Sequence, residues 1–91
     1  MFLKDPGSTL DYRVDWTAAC ADGQTVLTSE WLVEPAQSGG LMVGGQSLSG
    51  LLATVRLSGG GRGILYRIVN RVTFSNGLVD ERTIALRVED R

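Results

Sequence analysis

Apolar and polar side chains alternate residue by residue along much of this chain, and no other feature of the sequence constrains its fold as tightly. In Leu10-Asp11-Tyr12-Arg13-Val14-Asp15-Trp16 the apolar residues occupy positions 10, 12, 14 and 16 and the charges positions 11, 13 and 15. A strand sends successive side chains to opposite faces, so this order gives one dry face and one wet face; a helix would scatter both classes around its surface. The strongest run is residues 64–74. There Ile64, Tyr66, Ile68, Asn70, Val72 and Phe74 share one face, and Leu65, Arg67, Val69, Arg71 and Thr73 share the other. Leu51, Ala53, Val55 and Leu57 repeat the pattern, as do Ile84, Leu86 and Val88. No ten-residue segment follows a helical period.

Turn chemistry separates these runs. Lys4-Asp5-Pro6-Gly7-Ser8 reads as a turn, because Pro fixes one torsion and Gly relaxes the next. Residues 25–33 are rich in strand formers, but Val26 and Trp31 have opposite parity, so burying both requires a bulge between them. Glu34-Pro35 ends that strand, since Pro35 has no N–H for a ladder. Residues 36–50 are the softest stretch; Leu41-Met42-Val43 is an apolar island between Gly pairs, either an edge strand or a mobile loop. Ser58 to Gly63 is a tight Gly-rich turn, and Ser75-Asn76-Gly77 signals a hairpin. Six or seven short strands result, and the fold expected over residues 1–91 is a single all-β domain, a small antiparallel immunoglobulin-like β-sandwich. Tyr66, opening a strand after the Gly-rich corner, is either the corner tyrosine of that fold, bonded to upstream backbone, or an ordinary core tyrosine. Leu10, Tyr12, Val14, Trp16, Val55, Ile68, Val72, Ile84 and Leu86 are its expected core.

Composition then removes whole classes of function. The 9 basic and 10 acidic residues give a net charge of −1, which offers no electrostatic case for nucleic acid. No apolar run approaches the roughly 18 residues of a membrane span, and the first residues meet charge and Pro6 without a leader's apolar stretch. There is no His, and Cys20 is the single Cys, so an internal disulfide, a thiolate zinc site and Ser-His-Asp or Cys-His chemistry are all excluded. Carboxylate-only catalysis and hard-cation binding survive in principle. The balance points to a binding or structural module, with no catalytic residue, no metal ligand and no cofactor.

Several residues invite sharper readings. Asp11 and Asp15 lie about 13 Å apart along one strand, too far to share an ion, so a calcium site would need Asp5, Asp22 or Glu34 from other loops. The Ser58–Gly63 turn could cradle an anion, but it lacks a Gly-Lys-Ser/Thr ending and opens a strand, as a plain connection would. Arg67 and Arg71 share a face and with Arg13, Arg82 and Arg87 would make a basic stripe, unless Asp11, Asp15, Asp80 or Glu81 pair with them. Trp16 and Trp31 suit the core; Trp31 also suits an interface. Cys20 reads as a small buried or half-buried residue.

The order Lys4-Asp5-Pro6, Leu10-Asp11-Tyr12, Asp15-Trp16, Trp31, Ser58-Gly59-Gly60, Tyr66, Val69-Asn70-Arg71-Val72, Ser75-Asn76-Gly77 and Asp80-Glu81-Arg82 resembles a family of small tailed-bacteriophage virion proteins of the fiber–tail adaptor or head–tail region type. The resemblance spans nearly the whole chain. The chain departs from it in the Gly richness of residues 39–50 and at Asn76-Gly77, where a Gly-Arg pair is common. The resemblance implies an immunoglobulin-like, non-enzymatic virion part, assembled in the bacterial host cytoplasm and oligomeric in the particle. Its partners would be other virion proteins or copies of itself, with no nucleic acid and no membrane. The contact candidates are Leu41, Met42, Val43, Trp31, Arg67 and Arg71, with residues 39–50 mobile until assembly covers them. A capsid decoration or head–tail accessory role is the nearest alternative. A carbohydrate-binding module is the other, and it needs a row of exposed aromatics from a chain that has only six.

Overall fold

In a computed structural model that describes residues 2–36 and 40–89, the alternating runs become seven strands. They are β1 (Phe2–Lys4), β2 (Thr9–Asp15), β3 (Val26–Glu34), β4 (Leu41–Ser49), β5 (Leu52–Gly59), β6 (Leu65–Phe74) and β7 (Val79–Val88), with one 3-10 turn at Ala18–Cys20. Four form a sheet in the order β1-β7-β6-β3 and three a sheet in the order β2-β5-β4, the strand distribution of an immunoglobulin-like sandwich. The expectation of a wholly antiparallel fold needs one correction, because β1 runs parallel to β7. The chain enters beside β7 and then turns into the other sheet. That turn closes through Ser8 N–H to the Asp5 carbonyl (3.0 Å) and Gly7 N–H to Asp5 Oδ1 (2.9 Å).

The dry faces meet as the alternation predicts. Trp16, Val55, Ile68, Val72 and Leu86 are fully buried, joined by Ala53, Leu57, Tyr66 and Val88. Leu10, Tyr12, Val14 and Ile84 are half-buried. The reason is position: β2 is an edge strand, and β1 pairs β7 only at residues 86–88, leaving Ile84 beyond its reach. The parity conflict in β3 is resolved by a bulge between Val26 and Thr28, which lets Val26 and Trp31 both face the core.

Residues 41–49 correct the loop alternative. Residues 41–44 and 47–49 pair with β5, with a second bulge between Gly44 and Ser47 where Gly45 takes a left-handed φ of 57°. Leu41 is buried and Val43 half-buried against the core, while Met42 points out, so the three do not form an exposed island. Gly39, where the expected mobile stretch begins, lies outside the described residues.

A polar tie replaces the cross-sheet disulfide of antibody domains. In those domains the second Cys follows the corner tyrosine by two residues, and here that place holds Ile68. Instead the Trp16 indole N–H, just past β2, donates to Asn70 Oδ1 on β6 at 2.9 Å. Asn70 is fully buried, and its Nδ2 donates to Ser29 Oγ (2.9 Å) and the Glu30 carbonyl (3.0 Å). Tyr66 is the corner tyrosine: its hydroxyl accepts the Gly61 N–H at 2.7 Å. Gly60 makes that corner possible. Its φ is 109°, and a Cβ there would meet Val88 Cγ2 at 2.6 Å.

Candidate protein interface

A sandwich can be joined along its flanks, where strand edges lie, or on its outer sheet faces. On the β1–β2 flank, Phe2 and Tyr12 meet edge to face at 4.9 Å. On the same flank Lys4 is fully buried, and its ammonium donates to the Asp5 (2.9 Å) and Gly59 (2.8 Å) carbonyls. Burial pulls the Lys4 ammonium below its ordinary pKa, with Asp5 opposing in part. Burial likewise pushes the Tyr12 hydroxyl up to about 12. This flank is tied across from sheet to sheet.

The β3–β4 flank differs. As on the first flank, both outer strands have an unpaired edge, β3 pairing only with β6 and β4 only with β5, but among the described residues no side-chain hydrogen bond joins the two. Between them lies a cleft of about 160 Å³ lined by Leu27, Thr28, Ser29, Gln46, Ser47 and Leu48, without a charge. Hydroxyl and amide groups flanked by leucines suit an extended chain segment with uncharged side chains.

The outer faces also differ. The three-stranded sheet presents a polar face in which Arg56 Nε donates to Asp11 Oδ1 at 2.9 Å. The Arg56 guanidinium holds the Asp11 carboxyl below its ordinary pKa, and bonds from Thr17 do the same for Asp15. The four-stranded sheet presents rows set by register: Glu34 beside Arg67, Leu32 beside Val69, and Glu30 beside Arg71, which is flanked in turn by Glu81.

The contact candidates do not converge. Met42 is 60% exposed on the outer face of the three-stranded sheet, whereas Arg67 and Arg71 are exposed on the opposite side of the molecule. Leu41 and Val43 belong to the core. Trp31, 7% exposed, belongs there too, which removes most of its ring from any partner; its indole N–H meets no acceptor among the described residues. The five arginines make no stripe. Arg13 lies on the other sheet, and Arg82 lies 4.6 Å from the Trp16 ring centroid and donates to the Asp15 carbonyl (3.0 Å). Arg87 meets Glu89 at 3.5 Å.

Gly61 N–H is taken by Tyr66 and Gly63 N–H by the Val88 carbonyl (2.6 Å), so the Gly-rich turn has these donors facing inward rather than toward an anion. Among the described residues no three acidic or Cys side chains gather as a metal site would need. Trp16, Trp31, Tyr66 and Phe74 are buried, and Phe2 and Tyr12 pack on each other, which leaves no row of aromatics for a sugar. Glu30, Leu32 and Glu34 alternate with the buried Trp31, which marks an exposed face in the sequence but not an outermost strand; the edge follows from topology alone.

Residues 4–87 match a family model described as podophage GP4 fiber-tail adaptor protein gp77. A comparison with curated proteins finds no match.

Proposed function

The chain belongs to the podophage fiber-tail adaptor family, a structural component of the virion, and from that membership we propose that it joins tail and fiber by non-enzymatic contact through its loops and strand edges. The observation that carries this reading is the contrast between the flanks. Both end in unpaired strands, but one is tied across by Lys4, Phe2 and Tyr12, whereas the other opens around an uncharged cleft. Unpaired edges are templates for a further strand, and a packed sandwich holds them rigid. Its partners are other virion proteins, with further copies of the chain beside them in the particle, and it assembles in the host cytoplasm.

The test is genetic and visual. Phage lacking this chain are expected to yield filled heads with tails but without fibers, and supplying the chain in trans restores them. Particles that keep their fibers, or that fail at the head instead, overturn the adaptor role.

A further inference from the structure

The β3 edge has a chemical pattern that selects what pairs with it. From Ser29 to Glu34 its register with β6 is unbroken, whereas β4 is interrupted by its bulge between Gly44 and Ser47. Bulges protect an edge by twisting it out of line, so Ser29–Glu34 is the straighter template on this flank. Its outward side chains are Glu30, Leu32 and Glu34, with Leu32 45% exposed. On the inner side β6 sets Arg71, Val69 and Arg67 opposite them. Among the described residues no ion pair within 4 Å takes up either glutamate, so both carboxylates face solvent with charge to offer.

Resting on the adaptor reading, we infer that the β3 edge receives an extended segment of another virion protein with cationic, aliphatic and cationic residues at alternate positions. That segment repeats outside β3 what β6 already supplies inside it. Opposite charges across a strand pair stabilise it and like charges oppose it. The pattern Glu-x-Leu-x-Glu reads the same in both directions, so it admits a parallel or an antiparallel partner. It also excludes a second copy of the same edge. An antiparallel pair of β3 strands centred on Leu32 sets Glu30 of one against Glu34 of the other, at both ends. At its Ser29 end the added segment runs toward the cleft, whose lining calls for uncharged groups.

A capped peptide Thr-Lys-Thr-Val-Thr-Lys-Thr is the probe, with its Glu-for-Lys counterpart as control, titrated into the full chain and followed by amide NMR. The expected result is perturbation centred on residues 29–34 and about tenfold tighter binding of the Lys peptide at low salt, a preference that fades at high salt. E30Q/E34Q abolishes the preference and E30K/E34K reverses it. Equal binding of the two peptides, no perturbation of residues 29–34, or perturbation at β4 overturns the inference. In phage, E30K/E34K that melts like wild type and loses fibers supports it. If that variant keeps its fibers, the β3 inference fails while the adaptor reading stands; the adaptor reading itself fails only if removing the whole chain leaves the fibers in place.

Discussion

Asn70 does more for this fold than its polarity suggests. A buried amide is costly unless its donors and acceptor are met, and here Oδ1 takes the Trp16 indole while Nδ2 serves Ser29 and the Glu30 carbonyl. Asn70→Leu keeps the branching and heavy-atom count of the side chain but strands the indole N–H. It is expected to cost about 1–3 kcal/mol, read as a lower urea midpoint with an unchanged slope. The titratable residues make a second expectation. Asp11 and Asp15 ionise more readily folded than unfolded. Their contribution is therefore present above the ordinary carboxyl value of 3.8 and is lost as pH falls through the lower folded values. Tyr12 has the opposite sign. Its contribution is present below the ordinary 10.0 and is lost as pH rises to about 12. Lys4 opposes it: a lowered folded pKa means the charged form costs stability, a cost relieved as pH rises toward 10.5. Urea midpoints across pH are expected to fall at the acid end, less steeply in Asp11→Asn. Tyr12→Phe is expected to flatten the alkaline fall. An acid limb unchanged by Asp11→Asn contradicts the role given to Arg56.

At the scale of elements, β4 sets the clearest expectation. Its pairing with β5 predicts that the amides of residues 41–44 and 47–49 directed at β5 exchange slowly in the free chain, in alternation with fast ones. Uniformly fast exchange across these residues, measured by NMR, contradicts the paired strand. Sequence periodicity did not reach this element, because Gly44, Gly45, Gln46 and Ser47 carry no apolar alternation and the ladder is held by backbone groups that every residue shares. β1 was missed for a related reason: three residues are too few to show a period, and its parallel partner lies at the other end of the chain. The bulge in β3, by contrast, was legible, since Val26 and Trp31 cannot both be buried without it. Strand pairs carry no such mark for their outer edges. Which strands lie outermost is set by topology, so the candidate surface around Glu30, Leu32 and Glu34 emerged only once β3 was seen to end its sheet.

The whole molecule is an elongated block, 43 Å by 21 Å by 20 Å, with a thin core made only of the inner-face side chains of its two sheets. In so thin a core each large side chain carries a sizeable share of stability. Ile68→Ala, at a fully buried site opposite Ile84 on β7 and Val33 on β3, is expected to cost about 2–5 kcal/mol, measured by equilibrium unfolding. A loss below 1 kcal/mol is inconsistent with this packing. Class and core were readable from the sequence because a two-residue period fixes which faces meet; the mode of attachment was not, because attachment depends on what the finished block leaves uncovered.

The Trp16–Asn70 tie has a consequence for the life of a particle. On the assembly route proposed above, this virion part is made inside a reducing cell and then persists in oxidising surroundings. A disulfide at that place would form in only one of those settings, and the block would change strength as it crossed between them. An indole-to-amide bond is indifferent to redox potential, and the lone thiol, Cys20, is buried beneath the surface. The strength of this joint is therefore the same in whichever of those settings the chain finds itself.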